Sequence, residues 1–159
     1  MNELLNLLKQ NALESPENLA KMLGTSADDV RKQIADFEKE GIIRAYQAVV
    51  NEEKLDASLV TTVIEVKVTP ESEGGFNRIA DRISKFPEVD SCFLMSGGFD
   101  LLLFIKGRSM QDSFRFVSDK LSTMPGVTST ATHFMMKAYK QNGIVMNTGD
   151  DDERLKVSP

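Results

Sequence analysis

Hydroxyl groups crowd one short segment near the C-terminal end of the patterned part of the chain. Within VTSTATHF, residues 127–134, hydroxyls occur at Thr128, Ser129, Thr130 and Thr132. Side chains alternate between the two faces of a strand, so the three threonines are predicted to share one face. Burying an unpaired hydroxyl costs about 1–3 kcal/mol, which makes these residues poor core filler. They suit a polar, partly enclosed cleft, although a solvent-exposed face or a subunit contact would suit strand-forming threonine as well.

Residues that usually perform covalent or metal chemistry are scarce. Cys92 is the single cysteine and His133 the single histidine, which excludes an internal disulfide and argues against a zinc site. His133 is expected opposite the threonines, in a packing or interface role. Asn77 would suit an acylphosphatase-like reaction, but no phosphate-cradling loop accompanies it, and Glu71 and Glu73 are expected to be solvated. The sequence therefore predicts binding rather than catalysis, with no metal or cofactor.

Length and charge limit the class of protein. The chain has 159 residues, 41% of them hydrophobic, which is enough for one or two compact domains. A net charge of −5 argues against a protein that coats nucleic acid non-specifically, so any DNA contact must come from a few repeated local cations. No apolar run reaches the roughly 18 residues of a membrane span, and no signal peptide is evident. We expect a cytoplasmic protein.

The elements that position any DNA contact lie in residues 1–44. Helical spacing of apolar residues predicts three short helices. Ser15 and the following proline begin the second helix, which Gly24 ends, and Ser26 with an aspartate three residues later begins the third. The short turn between the second and third helices predicts a helix-turn-helix.

The elements that position the threonines lie in residues 60–140, after a hinge strand and polar turn at 45–59. Strands are predicted at 60–68, 89–96, 101–106 and 127–134, with helices after the first and third, and residues 141–159 are assigned as a tail. The order β-α-β-β-α-β is that of the ferredoxin-like fold. Its helices cover one face of the sheet, and a partner subunit is a natural cover for the other.

Two details of this sheet follow from the pattern. In the second strand Val89 and Phe93 are expected on one face and Cys92 on the other. The third strand is nearly all apolar, which predicts a central position. A glycine-rich turn, SGGFD at 96–100, joins these two strands.

These segments together resemble the Lrp/AsnC (leucine-responsive regulatory protein/asparagine regulator) family of transcription factors. NLAKMLGTSADDVRKQIADFEKEGIIRAYQAVVN, residues 18–51, is similar to the family's N-terminal domain. FPEVDSCFLMSGGFDLLLFIKG and MPGVTSTATHFMMKAYK resemble its C-terminal effector and oligomerisation domain, often called the RAM domain. The tail DDDERLKVSP resembles an ending found in one bacterial branch. The resemblance implies an α+β protein with a winged helix-turn-helix domain and a ferredoxin-like domain.

The resemblance also implies that the third helix enters the major groove of DNA. Arg31 and Lys32 are then the cationic contacts. The full set of implied DNA-binding residues is Ser26, Ala27, Arg31, Lys32, Arg44 and Tyr46. Two carboxylates, Asp28 and Asp29, depart from the pattern of the stronger binders of the family, because near phosphates they are repulsive even though they offset the helix dipole.

For the second domain the resemblance implies an amino-acid pocket between dimers. Amides near Gly97 and Gly98 and the hydroxyls of Thr130 and Thr132 would hold a carboxylate, while Asp100 would hold an ammonium group or brace the turn. Two aromatic residues, Phe99 and Phe114, would form the walls.

The function implied is a ligand-responsive, sequence-specific transcription regulator. It would act as a homo-oligomer, a dimer assembled into a tetramer or octamer, with DNA and a small amino acid as partners. The alternative is an amino-acid-sensing oligomer whose helical domain contacts protein rather than DNA, which the acidic balance permits.

Overall fold

The computed structural model describes residues 2–55, 59–70 and 75–146. Glu71, Glu73 and the tail from residue 147 onward lie outside the described residues, so the expectations attached to them stay predictions. The chain divides into two compact units, the first ending at Ala48 and the second beginning at Val49. We call them the helical unit and the sheet unit. Within the described ranges, no helix combines the length and apolar character needed to cross a membrane.

The helical unit contains α1 (Glu3–Gln10), α2 (Pro16–Leu23) and α3 (Ala27–Lys39). Side-chain caps define where α2 and α3 begin. Ser15 Oγ accepts from the Asn18 N–H at 3.2 Å, and Ser26 Oγ accepts from the Asp29 N–H at 3.1 Å. Gly24 ends α2 in the left-handed conformation, with φ of 66°. The predicted helix-turn-helix is confirmed.

Apolar side chains from all three helices meet in one small core. The buried members are Leu4, Leu8, Leu19, Ala20 and Val30. Ile34 and Phe37 of α3 pack against them, so α3 presents its polar side chains outward.

The strand predicted at the start of residues 45–59 is not formed. Residues 42–50 have no regular secondary structure, and a single 3-10 turn spans Glu52–Lys54. A strand needs a neighbour to take its backbone hydrogen bonds, and no described residue of the helical unit supplies one. The helix-turn-helix therefore carries no wing strand within the described chain.

The sheet unit has the predicted element order. It comprises β1 (Val60–Val68), α4 (Asn77–Ile83), β2 (Val89–Leu94), β3 (Leu101–Gly107), α5 (Met110–Arg115), a π-helical continuation of α5 (Phe116–Leu121) and β4 (Val127–Phe134). The strand order is β2-β3-β1-β4, with antiparallel neighbours throughout. This is the ferredoxin-like arrangement, with β3 central as predicted.

A short hairpin follows the sheet, across the boundary at residues 140–141 predicted between the second domain and the tail. It consists of β5 (Lys140–Gln141) and β6 (Ile144–Val145). Asn142 and Gly143 form the turn, with φ of 49° and 86°. The Asn-Gly pair is a strong sequence signal for such a hairpin.

The core of the sheet unit lies between the sheet and its two helices. Ile64, Val66 and Val68 of β1 face it, as the alternating pattern predicts. Also buried are Ile79, Ile83, Leu101, Leu103, Ile105, Phe116 and Leu121. One polar pair lies among these apolar residues, Thr62 Oγ1 and Ser113 Oγ, 2.7 Å apart. The bond satisfies both hydroxyls and ties α5 to β1.

The faces of β2 differ from the prediction. The register against β3 shifts between Val89 and Ser91, and both Val89 and Cys92 pack against the core. An extra residue in one strand reverses the alternation, which a strict two-residue period cannot foresee. Phe93 is 51% exposed on the other face, edge-to-face with Phe104 at 6.2 Å.

Gly126 makes the tight entry into β4. Its φ is 92°, and a Cβ at this position would lie 2.7 Å from Ile79 Cδ1. Its carbonyl oxygen accepts from the Thr69 N–H at 2.8 Å. Only glycine fits this approach without a shift of the core.

Candidate functional site

The glycine-rich turn and the threonine strand meet at one end of the sheet. Val66 of β1 pairs with Leu101 on one side and with Thr130 on the other. Adjacent strands lie about 4.8 Å apart, so the start of β3 and Thr130 are separated by roughly 10 Å across β1. We call this end of the sheet the turn end. It brings together the glycine turn, Asp100 and Thr130, whereas Thr132 pairs with Ile64, two residues further along β1 toward the middle of the sheet.

Asp100 braces the turn. Its N–H donates to the Val66 carbonyl oxygen at 3.0 Å, and its carbonyl oxygen accepts from the Met95 N–H at 2.8 Å. Its side-chain Oδ2 accepts from the Val68 N–H at 2.8 Å. The carboxylate thus continues the hydrogen-bond ladder beyond the first residue of β3 and fixes where the turn leaves the sheet.

The turn itself is open. Gly97 has φ of 150°, and a Cβ built on Gly97 or Gly98 would meet no atom within 4 Å. Both glycines are exposed, whereas Phe99 is half-buried. A ligand or a second subunit therefore has room to approach the backbone here.

The three threonines of β4 do not all share one face, contrary to the prediction from the two-residue period of a strand. The register of β4 on β1 shifts between Lys67 and Val68, so Val127 packs against the core while the Thr128 hydroxyl donates to the Lys67 carbonyl oxygen at 3.1 Å. Thr128 therefore does not join the other two threonines, because the bulge displaces it.

Thr130 and Thr132 do share a face, as predicted. They oppose Val66 and Ile64, whose side chains are buried beneath the helices. Thr130 is half-buried and Thr132 is exposed at the open edge of the sheet. Neither hydroxyl makes a hydrogen bond with any described residue. Both remain available to a ligand, to water or to a neighbouring subunit.

Phe114 lies far from the turn end within one chain. It follows Ser113, whose hydroxyl bonds to Thr62, and Thr62 is six positions from Val68 along β1. At 3.3 Å per residue this is about 20 Å. Phe114 is 70% exposed on α5. Phe114 could line a pocket together with the glycine turn only if it came from a second subunit.

His133 lies on the opposite face of β4 from Thr130 and Thr132, as expected. Its Nε2 is 3.3 Å from Glu65 Oε1, and both side chains are partly exposed. Within the described residues no three His, Cys, Asp or Glu side chains are grouped to hold a metal ion.

A cavity of about 370 Å³ lies away from the turn end. Charged side chains dominate its lining, among them Glu88, Lys106, Arg115 and Lys120. Lys120 donates to Glu88, and this bond lowers the pKa of the Glu88 carboxyl. None of the residues predicted for the effector pocket or for DNA contact borders this cavity.

In the helical unit, the residues at the start of α3 bond to one another. The Ser26 hydroxyl donates to Asp29 Oδ2 at 2.7 Å, and the Thr25 hydroxyl donates to the same oxygen at 3.3 Å. The Ser26 bond, then the Thr25 bond, and more weakly the charge of Lys32 lower the pKa of Asp29. Asp29 therefore reinforces the cap of α3, which reduces the free hydrogen-bonding capacity of Ser26.

Arg31 lies between two carboxylates. Its Nη1 donates to Asp28 Oδ1 at 2.9 Å, and its Nη2 bonds to Glu17 of α2. The Arg31 side chain remains 51% exposed. Glu17 was not predicted as a functional residue, because it lies 14 positions from Arg31 and only the packing of α2 against α3 brings the two together.

Of the remaining predicted DNA contacts, Lys32, Arg44 and Tyr46 are exposed, whereas Ala27 in the first turn of α3 is half-buried and packs against the apolar core of the helical unit. Lys32 makes no ion pair with a described residue. Arg44 folds back over Gly41, with Nη1 3.3 Å from the position of a Cβ there. The Tyr46 hydroxyl donates to Glu38 Oε1 at 2.9 Å, and desolvation followed by this bond raises the pKa of Tyr46.

Comparison with known proteins identifies the family. Residues 61–145 match the Lrp/AsnC ligand binding domain. A transcriptional regulator of the helix-turn-helix type from Bacillus subtilis, YugG, is 48% identical over 99% of this chain and 95% of its own length. The chain belongs to the Lrp/AsnC family.

Two further proteins extend the comparison. The leucine-responsive regulatory protein of Escherichia coli K12 is 31% identical over 91% of this chain and 88% of its own length. A transcriptional regulator from Neisseria meningitidis, solved with L-methionine, has a TM-score of 0.67 and 25% identity, covering 89% of this chain and 93% of that one. The protein is an Lrp/AsnC-type transcriptional regulator with a DNA-binding helix-turn-helix and a RAM domain.

Proposed function

We propose that this Lrp/AsnC regulator binds operator DNA through α3 and a small amino acid at the turn end of the sheet, in an assembly of dimers. One observation carries the effector site. At the sheet end where Asp100 fixes an open glycine turn, the hydroxyl of Thr130 has no described partner, and neither has that of Thr132, two residues further along β4. Hydroxyls and exposed amides together are the donors that a carboxylate requires.

The proposed roles follow from these positions. The amides of Gly97 and Gly98 and the two hydroxyls receive the ligand carboxylate. Asp100 acts by bracing the turn, since one of its oxygens already accepts from Val68. Phe99 contributes one wall from the same chain, and Phe114 contributes another from a neighbouring subunit. The protein acts by binding and needs no acid, base or metal for it.

The L-methionine complex of the Neisseria meningitidis relative supports an amino-acid ligand. A ligand that bridges two subunits favours one assembly over another by the difference in its affinity for them. The same linkage then couples the amino acid to DNA binding, because the assembly sets the spacing of the recognition helices.

Calorimetry with a panel of amino acids, L-methionine included, tests the pocket. The double substitution Thr130→Val/Thr132→Val removes both hydroxyls at nearly constant volume, and we expect at least a roughly tenfold loss of affinity. Ser129→Ala, which removes a hydroxyl from the opposite face of β4, serves as the matched control. Unchanged affinity in the double variant would remove these threonines from the site.

A gel shift with DNA from upstream of the gene itself, at stated salt, tests the recognition face. Arg31→Ala/Lys32→Ala should weaken specific binding by about tenfold or more and leave the oligomer size unchanged by light scattering. Lys54→Ala/Lys140→Ala changes the charge equally but lies in the sheet unit. Equal losses in the two variants would show only a general effect of charge.

A further inference from the structure

Three of the residues proposed to contact DNA have their hydrogen-bond donors directed at carboxylates of the same unit. Arg31 bonds to Glu17 and Asp28, Tyr46 to Glu38, and Ser26 to Asp29. Arg31 is the most informative case, because its partners come from both helices of the helix-turn-helix and engage both terminal nitrogens of the guanidinium.

A carboxylate and a phosphate are alternative ligands for the same guanidinium fork. A phosphate or a base edge can therefore use the terminal nitrogens of Arg31 only by displacing or sharing with the carboxylates. We propose that Glu17 and Asp28 compete with DNA for Arg31 and so set the affinity and the salt dependence of binding. This inference rests on the proposed function of α3 in DNA binding.

The exposure of the three side chains favours exchange over a permanent brace. Arg31 is 51% exposed, Glu17 55% and Asp28 94%. Ion pairs this open contribute little net stability, because solvent and salt screen them, so DNA can displace them at low cost. The three charges sum to −1, so the guanidinium and its partners together repel a phosphate until one carboxylate withdraws.

The competition for Arg31 also affects how DNA binding depends on salt concentration. Cations that neutralise phosphates release condensed counterions, and each such contact steepens the fall of log K with log salt by a little under one. An arginine already neutralised by carboxylates of its own chain contributes less to this slope. Removing the carboxylate partners of Arg31 should therefore raise the affinity for DNA most at low salt. It should also steepen the dependence of log K on log salt by roughly one per recognition helix.

The test measures DNA binding of the full chain by fluorescence anisotropy across a salt series. We expect Glu17→Gln to tighten binding about two- to fivefold at low salt, and Glu17→Gln/Asp28→Asn roughly tenfold with a steeper salt slope. Asp36→Asn serves as the control for Glu17→Gln. It removes one negative charge as well, but from a residue of α3 that does not contact Arg31. In an Arg31→Ala background, the increase in DNA affinity caused by Glu17→Gln should fall to the increase caused by Asp36→Asn.

Each outcome is decisive. A gain that depends on Arg31 supports the competition. Unchanged or weaker binding by Glu17→Gln, or a gain that persists without Arg31, overturns it while the proposed function stands. If the wild type and every variant fail to bind any promoter fragment, the proposed function fails and the inference fails with it. Thermal unfolding confirms that the variants fold, and Glu17→Gln alone suffices if the double variant does not.

Discussion

The two units of this regulator hold their polar side chains in different ways. In the sheet unit, Asp100 and Thr128 bond to backbone groups of β1. In the helical unit, Arg31 and Tyr46 bond to carboxylates of other exposed side chains. Backbone groups in a sheet cannot move without breaking the ladder, whereas exposed side chains change rotamer at little cost. The sheet unit therefore holds these side chains in fixed positions, and the helical unit presents donors that can be redistributed.

The largest expected effect concerns glycines whose surroundings differ between the units. Gly126→Ala should destabilise the sheet unit by about 2–4 kcal/mol, because a Cβ there meets Ile79 and the backbone is in the left-handed region. Gly24→Ala, also at positive φ but with no atom within 4 Å of a Cβ, should cost the helical unit only about 1 kcal/mol. Hydrogen exchange resolved by peptide measures both. Equal costs would contradict the tighter packing assigned to the sheet unit.

A smaller effect compares two carboxylates. Asp100→Ala leaves the Val68 N–H without its partner and should cost about 1–3 kcal/mol, whereas Glu38→Ala, which frees only the Tyr46 hydroxyl, should cost less than about 1 kcal/mol. Chemical denaturation followed by hydrogen exchange separates the two units. The reverse order would show that the side-chain bonds of the helical unit are the firmer ones.

The smallest effect is the pH dependence contributed by Asp29. Hydrogen bonds from Ser26 and Thr25 lower the pKa of this carboxyl in the folded chain. The folded state then binds its proton less tightly than the unfolded state, so the contribution to stability is present above the ordinary carboxyl pKa and is lost as pH falls through the folded pKa. Unfolding measured from pH 7 to pH 3 should show wild type losing this increment and Asp29→Asn lacking it.

Asp36→Asn provides the control for that titration, since Asp36 takes no part in the hydrogen bonds at the start of α3. If Asp29→Asn and wild type lost stability in parallel on acidification, the hydrogen bonds that the Asp29 carboxylate accepts from Ser26 and Thr25 would contribute nothing measurable to stability.

Local patterns in the sequence determined most of the fold. Ser15, Gly24 and Ser26 delimit helices through caps that depend only on neighbouring backbone groups. The alternation of Ile64, Val66 and Val68 gave the buried face of β1, and the apolar run of β3 gave its central position. The hydroxyls of Thr130 and Thr132 could likewise be assigned to one face.

Only the tertiary structure decided the features that depend on contacts distant in sequence. The shifts in register that turn Val89 inward and set Thr128 apart arise from pairing with β3 and β1, which no two-residue period records. The approach of Glu17 to Arg31 depends on how α2 crosses α3. The separation of Phe114 from the turn depends on the direction in which α5 runs over the sheet. A sequence specifies local conformation directly, but it specifies these contacts only through the packing of the whole unit.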